Sequence, residues 1–507
     1  MDLFKKIFEK NLSAYHERKT PEYPGKLTGA NVAGVFSGCD DFEARCLAAG
    51  VSEKSSLTIY YIDGIVDSAD ISQLIIQPLT DVLRFGAPKN SADCIERIQR
   101  GGVYCASMRR RTTLDDVIGD ITRGYAALVF DEENVALCFE ARTSFHRSIS
   151  EPREEKSVKG SKDSFVENIR INTSLIRRKL LTPNLKIKQQ VCGRKSHTAV
   201  AIIYVEGVAD PGYVSRLTRR IEEIDIDSML TTAHLEETLA DHPRSPFPQL
   251  LYTERPDKFA MNLLEGRVGI MADGIPLGFL SPATLSQFLK VPEDDSHHFI
   301  VSSVLTLLRY LGLCLSLLVP ALYVAVALYH QEMIPTQLLI SVIDSKQQVP
   351  FSTFIEILAM LIAFELLQEA GLRLPDPIGQ SVSIIGALIV GQSAVEARVV
   401  SPIAVIVVAL AGIAGYTCPN NDLGSALRIM RFALVLLALA GGMFGIMCGV
   451  AVLLWHLCTL ESLGVAYLSP LCDAQRLSML KALTRVPLWM NKSRDRALHT
   501  PDRRKRR

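Results

Sequence analysis

Four long runs of uncharged, mostly apolar residues lie close together in the second half of this chain. They extend from Tyr310 to Tyr329, from Pro377 to Val395, from Val399 to Asn421 and from Phe432 to Trp455. A helix that crosses a lipid bilayer needs about 20 predominantly apolar residues. A large soluble protein can bury one helix of this kind, but four of them in so short a stretch predict a domain of membrane-spanning helices.

The distribution of charge divides the chain into two halves that suit different solvents. The formal net charge is +1, from 55 basic and 54 acidic side chains, and nearly all of these lie before about residue 298 or after about residue 472. The sequence therefore predicts an α+β soluble N-terminal half, followed by an all-α multi-pass transmembrane domain in contact with the lipid bilayer. The even balance of charge gives no reason to expect nucleic acid as a partner.

A fifth apolar segment, Phe351 to Ala370, carries three acidic residues, Glu356, Glu365 and Glu369. One charge at the centre of a spanning helix costs about 2.5–3.5 kcal/mol on insertion scales. Three acidic residues therefore disfavour a helix that faces lipid. We expect the segment to face the interior of a helix bundle or water, to re-enter the membrane, or to lie along its surface.

Charge asymmetry predicts the side of the membrane on which each end lies. The tail after Cys472 contains eleven Lys or Arg residues and three Asp residues, and such an excess marks a cytoplasmic segment. The N-terminus lacks the apolar core of a signal peptide, so the soluble half is expected in the cytoplasm as well. If both ends of the chain lie in the cytoplasm, the number of membrane crossings is even. The four runs give an even number if Phe351–Ala370 enters the membrane without crossing it. Arg428 and Arg431 disagree with this count, because it places them outside.

Small residues recur four positions apart in two of the runs. They are Gly379, Ser383, Ala387 and Gly391 in the second run, and Gly441, Gly445 and Gly449 in the last run. Faces of small residues let two membrane helices approach closely. Ordinary packing of helices within the chain explains both faces, and a small, Ser-containing wall around a pore is the more specific interpretation.

The soluble half contains an internal repeat. Residues Ile59-Tyr-Tyr-Ile-Asp-Gly-Ile-Val-Asp67 align with Ile202-Ile-Tyr-Val-Glu-Gly-Val-Ala-Asp210 at an offset of 143 residues. Each copy reads as a strand, an acidic residue with Gly, and then an amphipathic helix, at Ile71–Leu83 and Tyr213–Ile224. A further strand and turn follow at Val268–Pro276. Two similar α/β subdomains are therefore predicted.

These patterns predict six regions along the chain. They are a basic amphipathic N-terminal segment (1–30), a first cytoplasmic α/β subdomain (31–150), a linker with a basic helix (151–194), a second cytoplasmic α/β subdomain (195–298), the transmembrane domain (299–458) and a basic cytoplasmic tail (459–507). The basic helix is expected at Phe165–Leu181.

The sequence offers little that points to an enzyme. Asp63, Glu206 and Asp273 follow strands, where active sites of α/β proteins often lie, but an acidic residue with Gly is also a common way to turn the chain. No phosphate-binding loop, dinucleotide fingerprint or H-E-x-x-H motif is present. Asp294–His298 contains metal-capable side chains but is more typical of a solvated turn. We therefore expect no catalytic activity, no cofactor and no metal.

Long motifs in both halves point to a known family. They are Tyr61-Ile-Asp-Gly64, Glu167-Asn-Ile-Arg-Ile-Asn-Thr-Ser-Leu-Ile-Arg-Arg178, Asp273-Gly-Ile-Pro276, Ile362-Ala-Phe-Glu-Leu-Leu-Gln-Glu-Ala-Gly-Leu-Arg-Leu-Pro375 and Gly391-Gln-Ser-Ala-Val-Glu396. In combination they resemble the A-subunit family of the GerA-type spore germination receptors. The resemblance extends from about residue 35 to about residue 472.

The resemblance implies a role in the inner membrane of a bacterial endospore, with the N-terminal half and the tail in the spore core. A-type subunits of this family are expected to partner a permease-like B subunit, the expected nutrient-binding partner, and a C lipoprotein. The resemblance also implies a homo-oligomeric ring of A subunits around a ligand-gated channel. Such a channel would release monovalent cations and trigger germination.

The acidic residues of the fifth apolar segment are the candidates for a cation route. Glu365 and Glu369 share one helical face, which Arg373 joins if the helix continues, and Glu356 lies on roughly the opposite face. Our hypothesis is that Glu356 or Glu365 lines the route, with Ser383 and Gly391 in its wall. A Glu369–Arg373 pair would hold the segment closed. The alternative is that all four charged residues form structural pairs between helices.

Three other functions stay open at this point. A secondary transporter would show paired broken helices in repeated membrane halves, whereas the repeat here is in the soluble half. A non-conducting signalling scaffold would use the helices only as an anchor and relay. Within the family, an accessory A-type paralogue of the dipicolinate operon is a further alternative.

Overall fold

The structure is a computed structural model. It describes residues 22–48, 56–81, 85–86, 88, 90–105, 107–142, 152, 155, 159–373, 391–472, 476–487 and 489–505. Most of the predicted basic amphipathic N-terminal segment (1–30) therefore lies outside the described residues, and so do Gly379, Ser383 and Ala387.

The first α/β subdomain is built on an antiparallel sheet with the strand order β1-β2-β4-β5-β3. Its strands are β1 Phe42–Ala48, β2 Ser56–Ile62, β3 Met108–Arg111, β4 Tyr125–Phe130 and β5 Val135–Glu140. Its helices are α1 Gly29–Val35, α2 Ser68–Asp70, α3 Gln77–Thr80, α4 Ser91–Arg97 and α5 Leu114–Thr122. A π-helical stretch, Ile71–Ile76, joins α2 to α3, and a second one, Ile98–Gly102, continues α4.

Helices cover both faces of this sheet. Alternate side chains of a strand point to opposite faces of the sheet. Because both faces are covered, strand β4 is buried along its whole length. Leu128 packs into a core formed with Ile75 and Ile95, and Ala127 packs into a second core with Val32 and Val117.

The second subdomain repeats this topology. Its sheet has the strand order β6-β7-β9-β10-β8, which is the same connectivity as in the first sheet. The strands are β6 Leu185–Cys192, β7 Thr198–Val205, β8 Leu251–Thr253, β9 Val268–Ala272 and β10 Gly278–Ser281. The helices are α6 Ile169–Lys179, α7 Pro211–Glu222, α8 Thr232–Leu239, α9 Pro256–Glu265 and α10 Leu285–Phe288. The predicted pair of similar α/β subdomains is confirmed. Strand β6 lies in the range that the sequence assigned to the linker and basic helix.

The acidic residues that follow the strands serve the fold. Gly64, Gly207 and Gly274 all have a positive φ, between 79° and 86°, which is the left-handed turn conformation that glycine adopts readily. The turn interpretation is therefore confirmed. Asp273 also accepts a hydrogen bond from the backbone N–H of Ile169 at 3.0 Å, which ties this turn to the start of α6.

The two sheets meet at a polar junction, which we define by Asp40, Asp41, Arg177 and Lys186. Arg177, on α6, donates two hydrogen bonds to the buried Asp41 carboxylate, at 2.7 and 2.8 Å. The buried Lys186 ammonium donates to the backbone carbonyls at residues 35 and 37. The backbone N–H of Asp40 donates to Ile187 at 2.9 Å, which joins the first subdomain to the edge strand β6.

The rest of the chain is mainly helical. Its main elements are α11 Phe299–Tyr329, α12 Thr336–Lys346, α13 Thr353–Arg373, α14 Pro402–Gly415, α15 Asn421–Thr459, the short strands β11 Glu461–Ser462 and β12 Val465–Ala466, and α16 Arg476–Leu483. Residues 391–396 are also helical. Of the described helices, α11 and α15 are long and apolar enough to cross a membrane by length and composition.

Helix α15 is a hairpin and not one straight span. Gly442 has φ +56° and ψ −135°, which interrupts the helix between residues 421–441 and residues 443–459. A Cβ built on Gly449 would lie 2.7 Å from Leu437 Cδ1, although these two residues would be about 18 Å apart along a straight helix. The structure therefore shows Phe432–Trp455 as parts of two helical arms and not as the one straight helix that the sequence predicted.

The C-terminal tail folds back onto the second subdomain. The backbone N–H of Asp502 donates to the carbonyl of Gly207 at 3.2 Å, and Arg494 donates to the carbonyl of Leu264 at 2.7 Å. Lys505 forms an ion pair with Glu265 at the end of α9. The basic tail and the soluble half therefore lie on the same side of the helix bundle.

Candidate functional site

Glu356 lies in the first turn of α13 and is only 1% exposed. Its carboxylate accepts a hydrogen bond from the backbone N–H of Ser401 at 2.9 Å. Ser401 is the N-cap of α14, and its own hydroxyl accepts the N–H of Ala404 at 3.4 Å. Glu356 thus places a carboxylate at the N-terminus of a neighbouring helix, where unpaired N–H groups and the helix dipole favour negative charge.

The second carboxylate oxygen of Glu356 is less well satisfied. Lys346 Nζ lies 4.0 Å from it, and the oxygen accepts no hydrogen bond from any residue that the structure describes. A buried carboxylate needs partners for its charge. Glu356 is therefore held mainly by the end of α14, with Lys346 as a more distant counterion.

Glu365 lies about two and a half turns further along α13. It faces two arginines of the first arm of α15, which is the part before the break, residues 421–441. Arg428 donates to one of its carboxylate oxygens at 3.2 Å, and Arg431 Nη1 lies 3.8 Å from the other. Arg431 is 3% exposed and also donates to the hydroxyl of Ser316 on α11. One carboxylate is thus shared by two guanidinium groups in the middle of three apolar helices.

The sequence identified these arginines only as exceptions to its topology. The hairpin removes the exception, since the first arm starts beside the second subdomain and carries Arg428 and Arg431 near that end of the bundle. The pairing with Glu365 was missed. Charged residues in two separate apolar runs, with opposite signs, are the signal that could have suggested it.

The other predicted site residues are only partly described. Glu369 is exposed, and the side chain of Arg373 lies outside the described residues, as do Gly379, Ser383 and Ala387. The predicted Glu369–Arg373 pair therefore falls outside what the structure describes. Gly391 lies in the helical stretch 391–396, where an added Cβ would be 3.4 Å from Val405 Cγ1.

The three glycines of the last run have different surroundings. Gly445 and Gly449 face the first arm of the hairpin, since an added Cβ would lie 2.0 Å from the carbonyl oxygen of Leu437 at Gly445 and 2.5 Å from Leu434 at Gly449. An added Cβ at Gly441 would meet no described atom within 4 Å. The break at Gly442 separates Gly441 from the other two, so the three glycines do not form one continuous face.

Both ends of the α15 hairpin enter the core of the second subdomain, at an apolar junction that we define by Phe247, Phe288, Leu427, Leu457 and Tyr467. These buried residues belong to one continuous cluster. The Tyr467 ring lies 6.1 Å from that of Phe288 and 6.5 Å from that of Phe247. Sheet and hairpin therefore share one core.

A buried ion pair fixes the start of α11 to the same subdomain. Asp294 is buried and accepts a hydrogen bond from Arg309 at 2.9 Å. Arg309 also donates to the carbonyl of Leu289 at 3.1 Å. The interpretation of this segment as a solvated turn is wrong for Asp294, because Arg309, which lies 15 residues further along the chain in α11, covers it. Among the described residues no group of side chains is arranged to hold a metal ion.

Comparisons with known proteins agree with this architecture. A family model described as the Bacillus/Clostridium GerA spore germination protein matches residues 30–497. YfkQ of Bacillus subtilis (strain 168), described as an uncharacterized membrane protein, is 40% identical over 463 residues, or 90% of this chain and 88% of YfkQ. Spore germination protein KA of the same strain is 35% identical over 463 residues, or 91% of this chain and 84% of that protein.

The chain is also similar to a solved structure, the N-terminal domain of the A subunit of the Bacillus megaterium spore germinant receptor GerK3. That similarity has 28% identity and a TM-score of 0.42, and it covers 52% of this chain and 98% of that chain. The family model covers both sheets and the helix bundle, and the two relatives match over nearly their whole length. The chain therefore belongs to the GerA family of spore germination proteins.

Proposed function

We propose that this chain is the A subunit of a nutrient germinant receptor in the spore inner membrane, and that copies of it form a ligand-gated cation channel that triggers germination. The family and the names of the relatives support the first part of the proposal. The observation that carries the second part is that Glu356 is buried, and Glu365 partly buried, inside the helix bundle. Acidic side chains at membrane depth are costly and commonly mark ion pathways.

The bundle is proposed to cross the membrane six times. Helix α11 leads away from the soluble half, and α13 and α14 both run back towards it. Glu356 contacts Ser401 at one end of the pair, and at the other the Phe364 and Tyr416 rings pack edge to face with their centroids 6.3 Å apart. We assign the passage between α13 and α14 to the predicted run Pro377–Val395, most of which lies outside the described residues. The two arms of α15 add one passage in each direction.

This arrangement keeps both chain ends on one side, in agreement with the positive-inside rule. The soluble half and the tail that packs on it are then in the spore core. The proposal has six crossings where the sequence suggested four, because it counts Phe351–Ala370 as a passage and the two arms around Gly442 as two more.

Of these two carboxylates, Glu356 is the better candidate for a cation route. Two arginines face Glu365, so the local charge there is positive and disfavours a cation. Each of the two carboxylates has one oxygen that accepts no hydrogen bond from the described residues, and at Glu356 the described counterion is a single lysine at 4.0 Å. A channel uses such oxygens to replace part of an ion's hydration shell.

Potassium release from spores that carry Glu356→Gln or Glu365→Gln in place of the wild-type chain tests this proposal. Glutamine at position 356 can still accept the N–H of Ser401, so the variant removes the charge and retains the helix cap. After transfer to rich nutrient medium, we expect Glu356→Gln to slow potassium release several-fold. Glu332→Gln, at an exposed position in the loop after α11, is the control. If both variants release potassium like the wild type at normal protein level, neither carboxylate lies on the cation route.

A non-conducting scaffold is the second candidate function, because the core shared by the second sheet and α15 provides a mechanical link without a pore. A permease-like B subunit would then bind the nutrient, and the A subunit, with a C lipoprotein, would relay the signal. Current recordings from purified protein in planar bilayers separate the two functions. A complex that responds to nutrient but carries no current would favour the scaffold.

A further inference from the structure

A cavity of about 140 Å³ lies between α11, α13, α14 and the first arm of α15. Its polar lining residues include Ser316, Gln368, Asn420, Asn421, Arg428 and Arg431. The volume is close to that of an engineered cavity of about 150 Å³ that holds benzene and below the roughly 300 Å³ at which drug-sized pockets begin. The space therefore suits an ion or a very small molecule.

The charge around this cavity is unbalanced. Arg428 and Arg431 share the carboxylate of Glu365, at 3.2 and 3.8 Å. Among the described residues that line the cavity, none has a carboxylate. Two guanidinium groups and one carboxylate leave one positive charge in a setting that is mostly shielded from water.

Arg431 in particular has unused hydrogen-bonding capacity. Its side chain is 97% buried, and its Nε–H donates to no acceptor among the described residues. Gly415 leaves room beside it, because a Cβ there would lie 3.2 Å from the guanidinium. The first turn of α15 lines the same cavity, and the N-terminus of a helix favours negative charge.

We propose that this cavity binds a small monovalent anion, such as a halide or the carboxylate of a very small organic acid, through Arg428 and Arg431. The anion neutralises the second arginine. Because Glu365 belongs to α13 and both arginines belong to α15, the anion sits where these two helices are held together. The site goes beyond the proposed cation route and does not depend on conduction.

Thermal unfolding of the purified full-length chain in lipid nanodiscs tests the proposal. Sodium chloride or sodium acetate replaces sodium gluconate, whose anion is bulkier, at constant sodium concentration. A ligand that binds only the folded state raises Tm in proportion to the logarithm of its concentration above Kd. A rise with chloride, with acetate or with both supports the site and identifies its preferred anion. No rise with either anion would overturn it.

Variants separate anion binding from a structural role of the same residues. Arg428→Gln, at the less buried arginine, is expected to weaken the apparent affinity about tenfold or more, as expected for loss of a hydrogen bond to a charged group. Glu365→Gln removes the competing carboxylate and is expected to tighten anion binding, a direction that simple loss of packing does not produce. These two variants test the site even if Arg431→Gln fails to fold.

Arg100→Gln is the control for net charge, since it removes one positive charge from an exposed position in the first subdomain. Its anion response should equal that of the wild type. Equal responses of Arg428→Gln and Arg100→Gln, or weaker binding by Glu365→Gln, would show that the cavity takes no anion.

Discussion

The protein has two internal junctions of opposite chemistry. At the polar junction the first sheet meets the second through the buried Asp41–Arg177 pair and the Lys186 ammonium. At the apolar junction the second sheet meets the helix hairpin through a shared core of aromatic and aliphatic side chains. Hydrogen-bonded charges fix one orientation and are costly to separate, whereas apolar contact is non-directional and grows with buried area.

The difference indicates which parts of the molecule move together. The second subdomain and α15 share side chains in one core, so a displacement of the sheet shifts both ends of the hairpin. The first subdomain is attached through a few directional contacts. In the described part of the chain, the contacts of the polar junction lead to the second subdomain, so a change there reaches the helices through that subdomain.

The largest effect is expected at the apolar junction. Tyr467→Ala removes a fully buried ring that packs on Phe247 and Phe288, and should lower the free energy of unfolding by about 3–5 kcal/mol. Chemical denaturation of the purified chain measures this. Tyr467→Phe is the matched control, because the buried hydroxyl has no hydrogen-bond partner among the described residues. A similar loss in Tyr467→Phe would show that the hydroxyl, and not the apolar contact, holds the junction.

The polar junction should respond to the loss of one partner almost as strongly. Arg177→Met leaves the buried Asp41 carboxylate without its counterion, which should cost about 3 kcal/mol or more. Adding Asp41→Leu should recover most of that loss, since an apolar pair can replace a buried ion pair. A double-mutant cycle by denaturation measures the recovery.

Arg170→Gln is the matched control for the polar junction. Arg170 is on the same helix and pairs with Asp63, but its side chain is 55% exposed, so its loss should cost less than about 1 kcal/mol. If Arg177→Met costs no more than Arg170→Gln, the polar junction does not hold the two sheets.

The break in α15 should have an intermediate effect, because it brings both ends of the hairpin to the apolar junction. Gly442→Ala forces a side chain into a conformation that residues other than glycine rarely adopt, and should cost about 1–3 kcal/mol. The added Cβ would also meet Tyr329 at 3.1 Å. Gly441→Ala is the control, since its Cβ would point into open space. Equal unfolding temperatures for both variants would contradict the hairpin.

The smallest effect is a pH dependence at the edge of the apolar junction. Burial, and then the negative charge of Asp422, raise the pKa of Glu236 from 4.5 to about 7. The folded state therefore binds more protons than the unfolded state between these two values, so this group's contribution to stability is lost as pH rises towards 7.

Replacing Glu236 tests that sign. Glu236→Gln should raise Tm at pH 8 relative to the wild type by about 1–2 °C, and by less at pH 5. Glu237→Gln, at the exposed neighbouring position, should change Tm equally at both pH values. A larger gain at pH 5 than at pH 8 for Glu236→Gln would show that the carboxyl is not destabilised by its surroundings.

The sequence by itself determined the larger architecture. Apolar runs predicted the helical half, because whether a segment can cross a membrane depends mainly on its own length and composition. The aligned segments at Ile59 and Ile202 predicted the duplicated subdomain, and the same strand order in both sheets confirms it. The basic helix was expected at Phe165–Leu181 and is observed at Ile169–Lys179, where Asn168 provides the N-cap.

Only the tertiary structure decided which distant residues meet. Glycines at 441 and 442 fit both a straight span and a hairpin, and packing against Tyr329 and the other arm selected the hairpin. The partners of Glu356 and Glu365 lie 45 and 63 residues away. Local spacing specifies which way a side chain faces on its own helix but not which neighbour it finds, since that depends on how all the helices pack at once.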